Sequence, residues 1–552
     1  MIAKVSPLIR LPSTADVFDY FVPPDLEGQI KLGQLVTIPW RSEDAVGVVL
    51  GLVDVVSSEF RARPIRKIIN PEPILTLAQL ALIKKFSSHY YCPPGAVARL
   101  IIPDAPERTI LKSAKATTPW QIKFEKPQLT ALVEATELFN NETRYISVKD
   151  FSSFIWLVFY LLQQPSSGSL VLLFPTIDVI EKVQAILEKK YSASLVVIHS
   201  QLSKGAYWRA YQAILKNEAK IVLSTRQGVF LPIPDKSRIV FWNASSDDFK
   251  QTDQHPRYDA RLVSRWLAEA TGSQLIFTAS NPLLFEEGEG LSAVALAKAE
   301  GGVVVLPTAS LYQTETRLIN IKKEFALKDF SIISEQTIEA INEALEEKKK
   351  VVIIGLKNDF KVKAALTKRL ENVKNIMFVA PSWLQSTEAR ILRGQIGCLI
   401  ISSIEPLLAL PDYRASERAF YRLQEWKMWA QELLIPQIIL QSYQAETAVM
   451  RAFAHGEIDE YREAELKLRQ SLEYPPYIDL IKISFKGTDQ VELMRVLTKL
   501  KETGAKVLGP YKEYKTNRQS FLLKIKNNID IPLLRTLPAK MWAVDRDPEN
   551  VL

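Results

Sequence analysis

Phe249, Lys250, Arg257, Tyr258 and Arg261 alternate aromatic rings with fixed positive charge over a short stretch. Rings of this kind stack on nucleic-acid bases and cations hold phosphates, at about 1–3 kcal/mol per stacked base. The same side chains could instead pack the start of a helix against a sheet, and both readings stay open. A second basic run, Lys482, Lys486, Lys512, Lys515, Arg518, Lys524 and Lys526, is interleaved with Tyr511, Tyr514 and Phe521. It suits branched DNA or an acidic protein tail, and equally a solvated strand face. His89, His199, His255 and His455, with Cys92 and Cys398, lie far apart and show no metal-ligand spacing, so zinc is not expected.

The elements that must position these residues follow from composition and periodicity. A chain of 552 residues predicts roughly three or four domains at ~100–200 residues each. It is 47% hydrophobic and 24% charged, a globular balance, and no internal repeat or low-complexity tract interrupts it. The net charge of +8 suits a polyanionic partner. Two cysteines allow no disulfide framework beyond one bridge and point to a reduced, cytoplasmic compartment. The start, MIAKVSPLIRLPST, has no apolar core of signal-peptide length. The longest apolar run, Phe154 to Leu162, falls well short of the ~20 residues a bilayer needs and predicts a buried helix, with no membrane partner.

Short apolar runs punctuated by Pro and Gly make residues 1–104 β-rich, followed within that span by a helix whose apolar stripe starts at Leu77, Leu80 and Leu82. Residues 105–127 read as a linker. From 128 the pattern becomes strand–helix alternation, with SLVLLF, SLVVI, KIVLS, RIVFW and QLIFTAS as strands apolar on both faces. Such strands predict a parallel sheet covered on both sides. A second unit of this kind starts near 331, where Ser334 can cap a helix carrying Ile338, Ile341 and Leu345 on one face. The expected fold is multidomain α/β. Two tandem RecA-like lobes (128–308 and 331–470, joined by a connector at 309–330) lie between a β-rich N-terminal domain and a small α+β domain at 471–552.

With those segments in view, the chain resembles primosomal protein N′ (PriA), the replication-restart helicase family. The resemblance rests on VFDYFVP, GQLVTIPW and YYCPPGAVARLIIP, on the stretch from HSQLSKGAYWRAY to VLSTRQGVFLP, on FKQ with PRYDARLVSRW, on LPDYRASERAFYRL, and on LEYPPY, VLGP and VDRDPENVL. It implies that residues 1–104 bind a DNA 3′ end, with Phe18 and Asp19 in the pocket for the terminal nucleotide. Arg63 falls near a family lysine; Arg41 stands where the family has a small residue, and would either fill the pocket or add a phosphate contact. It also implies that Thr225 and Arg226 touch single-stranded DNA. Arg414, Ser416, Glu417 and Arg418 fall in a family motif and read more readily as a salt-bridge network between the lobes.

The resemblance breaks where a nucleotide should bind. The family's phosphate loop aligns with Val148 to Ser153. A phosphate cradle needs glycines for close backbone approach, a Lys for the phosphates and a Ser or Thr. Lys149 precedes the motif's lysine position, Phe151 crowds the loop, Ser152 replaces the Lys, and Ser153 alone matches in type. The acidic motif aligns with Trp242-Asn243-Ala244-Ser245, without either carboxylate. Trp429 and Glu432 replace two arginines, and losing one such arginine costs on the order of 10³–10⁵ in rate. The family's zinc insert and winged-helix module have no counterpart between VVIIGLKNDF and KVKAALTKRLENV or within 105–127.

These departures predict no catalytic residue and no required cofactor; ATP and Mg²⁺ are implied by the family alone. Trp242, Trp426 and Trp429 would fill the cleft and hold the lobes together. The expected function is a DNA-binding platform of replication restart that recognises forks or D-loops without unwinding. Expected partners are forked and single-stranded DNA, single-strand-binding protein and helicase loaders. The alternatives are an ATP-dependent 3′–5′ helicase with a divergent site, and an inert structural subunit.

Overall fold

The computed structural model describes residues 1–9, 17–54, 62–103, 144–148, 150–280, 303–305, 312–325, 332–355, 359–370, 373–410, 412–513, 516, 518–526, 531–538, 540–548 and 551. The expected linker at 105–127, Lys149 and Lys515 lie outside them.

The N-terminal unit is an antiparallel sheet of β1 (Ile2–Pro7), β2 (Phe18–Phe21), β3 (Leu35–Trp40), β4 (Glu43–Val53) and β5 (Lys67–Ile68), in the order β2-β1-β4-β3-β5. Ala3, Val5, Tyr20, Val36, Ile38 and Val49 form its core. The helix Leu77–His89 follows, held at its start by a reciprocal capping box between Thr76 and Gln79. Its stripe differs from the expected one. Leu77 is 74% exposed, and Gln79, Leu82, Ile83 and Phe86 are the buried face. Thr76 as N-cap sets the phase, and Gln79 is bonded inward to Tyr211 Oη at 3.2 Å and to the Phe230 carbonyl at 2.7 Å.

The first lobe is a parallel sheet of β6 (Arg144–Ser147), β7 (Leu170–Leu173), β8 (Leu195–Ile198), β9 (Ile221–Ser224), β10 (Arg238–Phe241), β11 (Gln274–Ala279) and β12 (Val303–Val305), ordered β12-β6-β11-β10-β7-β9-β8. The apolar run at 154–162 lies in a buried helix, Phe151–Gln163, as its length predicts. Gly228 lets the turn after β9 press on the sheet: a Cβ there would come within 2.8 Å of Ser224 Cβ.

The second lobe is also parallel: β13 (Glu315–Asn320), β14 (Lys350–Ile354), β15 (Ile376–Val379), β16 (Ile396–Ile401) and β17 (Gln437–Ser442), ordered β13-β17-β16-β14-β15. Ser334 caps the helix Glu335–Glu346 through the Thr337 N–H at 3.0 Å. The expected connector at 309–330 therefore contains an edge strand of this sheet, since β13 pairs with β17 along its whole length. A short strand with one buried residue, Ile319 near its end, carries too weak a period to be read alone.

The last unit is an antiparallel sheet of β18 (Asp479–Phe485), β19 (Lys506–Lys512), β20 (Gln519–Ile525) and β21 (Trp542–Arg546), covered by the helix Gln490–Lys501. One continuous apolar cluster joins Leu82, Phe86 and Tyr90 of the N-terminal unit to the first lobe and to Trp426 and Trp429 of the second. No helix among the described residues is long and apolar enough to cross a membrane.

Candidate DNA interface and the seam between the lobes

The turn joining β3 to β4 places Arg41 in the left-handed region, at φ 54°. Its carbonyl accepts a bond from the Arg63 guanidinium at 3.1 Å. The 63–65 segment is tied to β2 by paired bonds, Phe21 N–H to the Arg63 carbonyl and Ile65 N–H to the Phe21 carbonyl, each 3.0 Å. These contacts fix Arg41, Arg63 and Arg66 around an open cavity of about 650 Å³, which Glu43 and Asp44 also line. Arg66 faces Asp44 at 3.6 Å. Burial pushes the Tyr20 phenol up, while Arg63 nearby pulls the other way.

Phe18 and Asp19 lie on the neighbouring strand. The Phe18 ring meets Trp40 edge-on at 4.9 Å, one residue from Arg41. Asp19 pairs with Lys4 at 3.2 Å and does not line the arginine cavity. The structure thus brings Arg41 and Arg63 together, keeps Phe18 near their edge, and sets Asp19 in an ion pair.

The aromatic and basic stretch of the first lobe is a packing device in this structure. Phe249 is fully buried against Phe241, ring centres 4.8 Å apart, so it has no free face for a base. Tyr258 is buried against Phe230 at 5.0 Å. Arg261, 1% exposed, grips Asp259 through two bonds of 2.9 and 2.6 Å and donates to the Ala244 carbonyl at 2.8 Å. Burial alone would raise the Asp259 carboxyl; Arg261 overrides it and holds it below its ordinary value. Lys250 donates to the Arg546 carbonyl at 2.8 Å, and Arg257 pairs with Asp545 at 2.9 Å. The loop therefore bolts the first lobe to the C-terminal sheet. Asp545, the anchor, went unread because one acid among basic residues carries no pattern of its own. Arg226 donates to the Asp248 carbonyl at 3.1 Å, and Thr225 beside it is half-buried.

In the C-terminal unit Lys512 is exposed and Arg518 half-buried. Lys524 donates to the Leu472 carbonyl at 2.6 Å and lies 4.3 Å from the centre of the Tyr474 ring. Burial lowers the Lys486 ammonium, and its neighbours Arg518 and Arg257 lower it further. Like charges from the two units therefore converge at their seam.

Between the lobes, Trp242 follows β10 and is 2% exposed. Its ring packs on Phe154 at 4.6 Å and on Phe151 at 5.5 Å, and Phe151 in turn meets Trp429 of the second lobe at 6.0 Å. Asn243 takes a left-handed φ of 52°, and its side chain accepts a bond from Ser245 Oγ at 2.8 Å. Asp150 caps the helix Phe151–Gln163, accepting the Ser153 N–H at 2.7 Å and its hydroxyl at 3.0 Å. Glu432, at the end of the helix Ala415–Glu432, lies near the N–H groups of Phe151 and Ser152. Burial and then Asp150 push its carboxyl up to about 7, while Arg393 and those N–H groups pull the other way.

The motif residues of the second lobe are internal. Glu417 accepts bonds from Arg414 at 3.1 Å and Arg469 at 3.0 Å, all three buried. Burial alone would raise Glu417; the two guanidiniums hold it at about 2. Ser416 shares a 2.9 Å bond with the Tyr461 hydroxyl. Arg418 does span the lobes, meeting Asp247 at 3.3 Å. Among the described residues no group of three or more His, Cys, Asp or Glu could hold a metal ion.

Residues 8–103 match the family model described as the 3′DNA-binding domain (3′BD). The chain is 25% identical over 345 residues to replication restart protein PriA of Rickettsia conorii, covering 61% of this chain and 51% of that one. It is 21% identical to that of Thermotoga maritima, covering 63% and 58%, and 20% identical to that of Helicobacter pylori 26695, covering 95% and 96%. The chain is thus similar to the PriA replication restart proteins, and its residues 8–103 carry their 3′DNA-binding domain pattern. It spans about half the length of the first of these relatives. Two solved structures are more distant: RecG bound to a three-way DNA junction, with TM-score 0.37, 10% identity and coverage of 69% and 51%, and the Escherichia coli DEAH/RHA helicase HrpB, with TM-score 0.34, 12% identity and coverage of 58% and 43%.

Proposed function

We propose that this chain is a DNA-binding protein of replication restart. It recognises forks or D-loops that carry a 3′ end and serves as a loading platform without ATP-driven unwinding. The observation that carries the reading is the open cavity of Arg41, Arg63 and Arg66 inside the stretch that matches a 3′DNA-binding domain. Guanidinium forks match phosphate geometry and stay charged at every working pH. Phe18 and Trp40 at the cavity's edge offer aromatic surface to a terminal base. Lys512, Lys515, Arg518 and the Arg257–Lys486 seam would follow the backbone of the duplex arms. Single-strand-binding protein and helicase loaders are the protein partners that fit this role.

ATP and Mg²⁺ are the cofactors the family implies, and the residues here do not fit a triphosphate. Glu432 lies near the first-turn N–H groups that would cradle a phosphate, and the Asp150 carboxylate already accepts the Ser153 N–H at 2.7 Å. An incoming phosphate would meet two acids and the Phe151 and Trp242 rings, with no cation in place of Ser152.

The test is fluorescence anisotropy on a fork with a 3′-OH at the junction, against the same fork ending in a 3′-phosphate. The reading expects tight binding that depends on the 3′ end and weakens about tenfold or more in Arg63→Ala. Equal affinity for both forks and for blunt duplex would reject it.

A further inference from the structure

A groove of about 1350 Å³ opens between the two lobes. One wall is the helix Ile177–Tyr191 of the first lobe, which brings Asp178, Glu181 and Lys182 to one face at helical spacing. The other wall belongs to the second lobe: Met377, Phe378 and Val379 of β15, then Trp383, Glu388 and Arg390 from the segment that follows.

Three features of this groove converge on one kind of ligand. The first is an open strand edge. β15 ends its sheet and pairs with β14 alone. The carbonyls of Asn375 and Val379 accept bonds from Val351 and Gly355 on the β14 side. Backbone groups alternate sides along a strand, so the N–H and C=O of Phe378 point away from β14, toward the open edge. The second is acidic charge in a chain of net charge +8. Asp178, Glu181 and Glu388 are exposed, whereas Lys182 is buried and Arg390 half-buried. Arg390 donates to the Gln385 carbonyl at 3.4 Å, and Glu388 accepts the Trp383 Nε1–H at 3.0 Å. The third is Lys182 itself. It is 6% exposed, and its ammonium, 4.4 Å from the centre of the Trp429 ring, has no hydrogen-bond acceptor among the described residues. A buried donor without an acceptor is costly, and a carbonyl entering from the groove would satisfy it.

A metal ion or polyamine would answer the acids alone. A nucleic-acid strand would answer Lys182 alone and be repelled by the acids. A peptide carries backbone pairing groups, carbonyls and cationic side chains together.

We propose that this groove docks a basic, extended peptide of a partner protein, which adds to the free edge of β15. Main-chain bonds to Phe378 continue the sheet. Lys or Arg side chains of the peptide meet Asp178, Glu181 and Glu388, and one of its carbonyls accepts from Lys182. The site is independent of the DNA reading.

The test is fluorescence anisotropy of the full chain, free of DNA, with a labelled peptide of alternating Lys and Val. That peptide should bind about tenfold or more tighter than one of equal length alternating Glu and Val. Asp178→Asn combined with Glu181→Gln, both at exposed positions, should weaken binding about tenfold and leave fork affinity in place. N-methylation of one alternate set of peptide nitrogens should abolish binding and methylation of the other set should spare it, because one edge of the peptide pairs with β15. No binding of the Lys–Val peptide, equal binding of the Glu–Val peptide, full affinity in the double variant, or equal effects of the two methylated sets would each overturn the proposal. With no DNA present, each of these results leaves the fork reading standing.

Discussion

The start of the helix Phe151–Gln163 and the cavity beside the β3–β4 turn are two places that could hold a phosphate. The first offers backbone N–H groups at a helix start; the second offers three guanidiniums. They are finished in opposite ways. At the helix start the chain brings its own acid, Glu432, close, and the Phe151, Trp242 and Trp429 rings pack together across the seam. At the cavity Arg41, Arg63 and Arg66 remain exposed, with Arg63 bonded to the Arg41 carbonyl and Arg66 facing Asp44. A site filled by its own side chains contributes to stability, whereas an open one lined by exposed charge is available to a ligand. Substitutions in the two regions should therefore fail in different assays.

The largest effect should come from the closed side. Glu417→Ala leaves Arg414 and Arg469 buried without their shared acid, which costs about 3–5 kcal/mol in thermal or chemical unfolding of the second lobe. In the unsubstituted chain the charged Glu417 contributes its stability above its ordinary value of 4.5 and loses it as pH falls toward about 2. Glu417→Gln should flatten that acid limb of the unfolding profile. Trp242→Ala should cost about 3–5 kcal/mol through the cavity it opens against Phe154, read by calorimetry, with fork affinity kept.

Arg63→Ala and Arg41→Ala should reverse the pattern. Each should weaken fork binding about tenfold at moderate salt, lower the salt slope by about one, and leave the melting temperature in place. The smallest effect is Lys4→Met, which frees Asp19 from an exposed pair: about 0–1 kcal/mol in stability, with a change in 3′-end preference only if Asp19 contacts the terminus. A Trp242→Ala chain that lost DNA binding, or an Arg63→Ala chain that unfolded, would erase the contrast.

Much of the fold was legible because burial writes itself into period and composition. RIVFW and QLIFTAS are apolar on both faces and became neighbouring parallel strands, β10 and β11. The helix at 154–162 followed from length alone. β13 was missed because an edge strand has one covered side and no continuous apolar run. The site was legible by type and illegible by direction. Phe249 and Arg261 have the chemistry of a DNA contact, yet they face inward, and no spacing distinguishes a ring on a base from a ring on Phe241. Glu432 shows the same limit, since the Phe151 and Ser152 N–H groups it lies near are remote in sequence and belong to the backbone.

The most direct measurement is the fork-binding isotherm of the full chain with and without saturating Mg-ATP. If the cleft is closed by its own side chains and the cavity is the DNA site, the two curves superimpose and no phosphate is released. A shift in affinity with ATP, or DNA-stimulated phosphate release, would contradict the account and restore the cleft as a working nucleotide site.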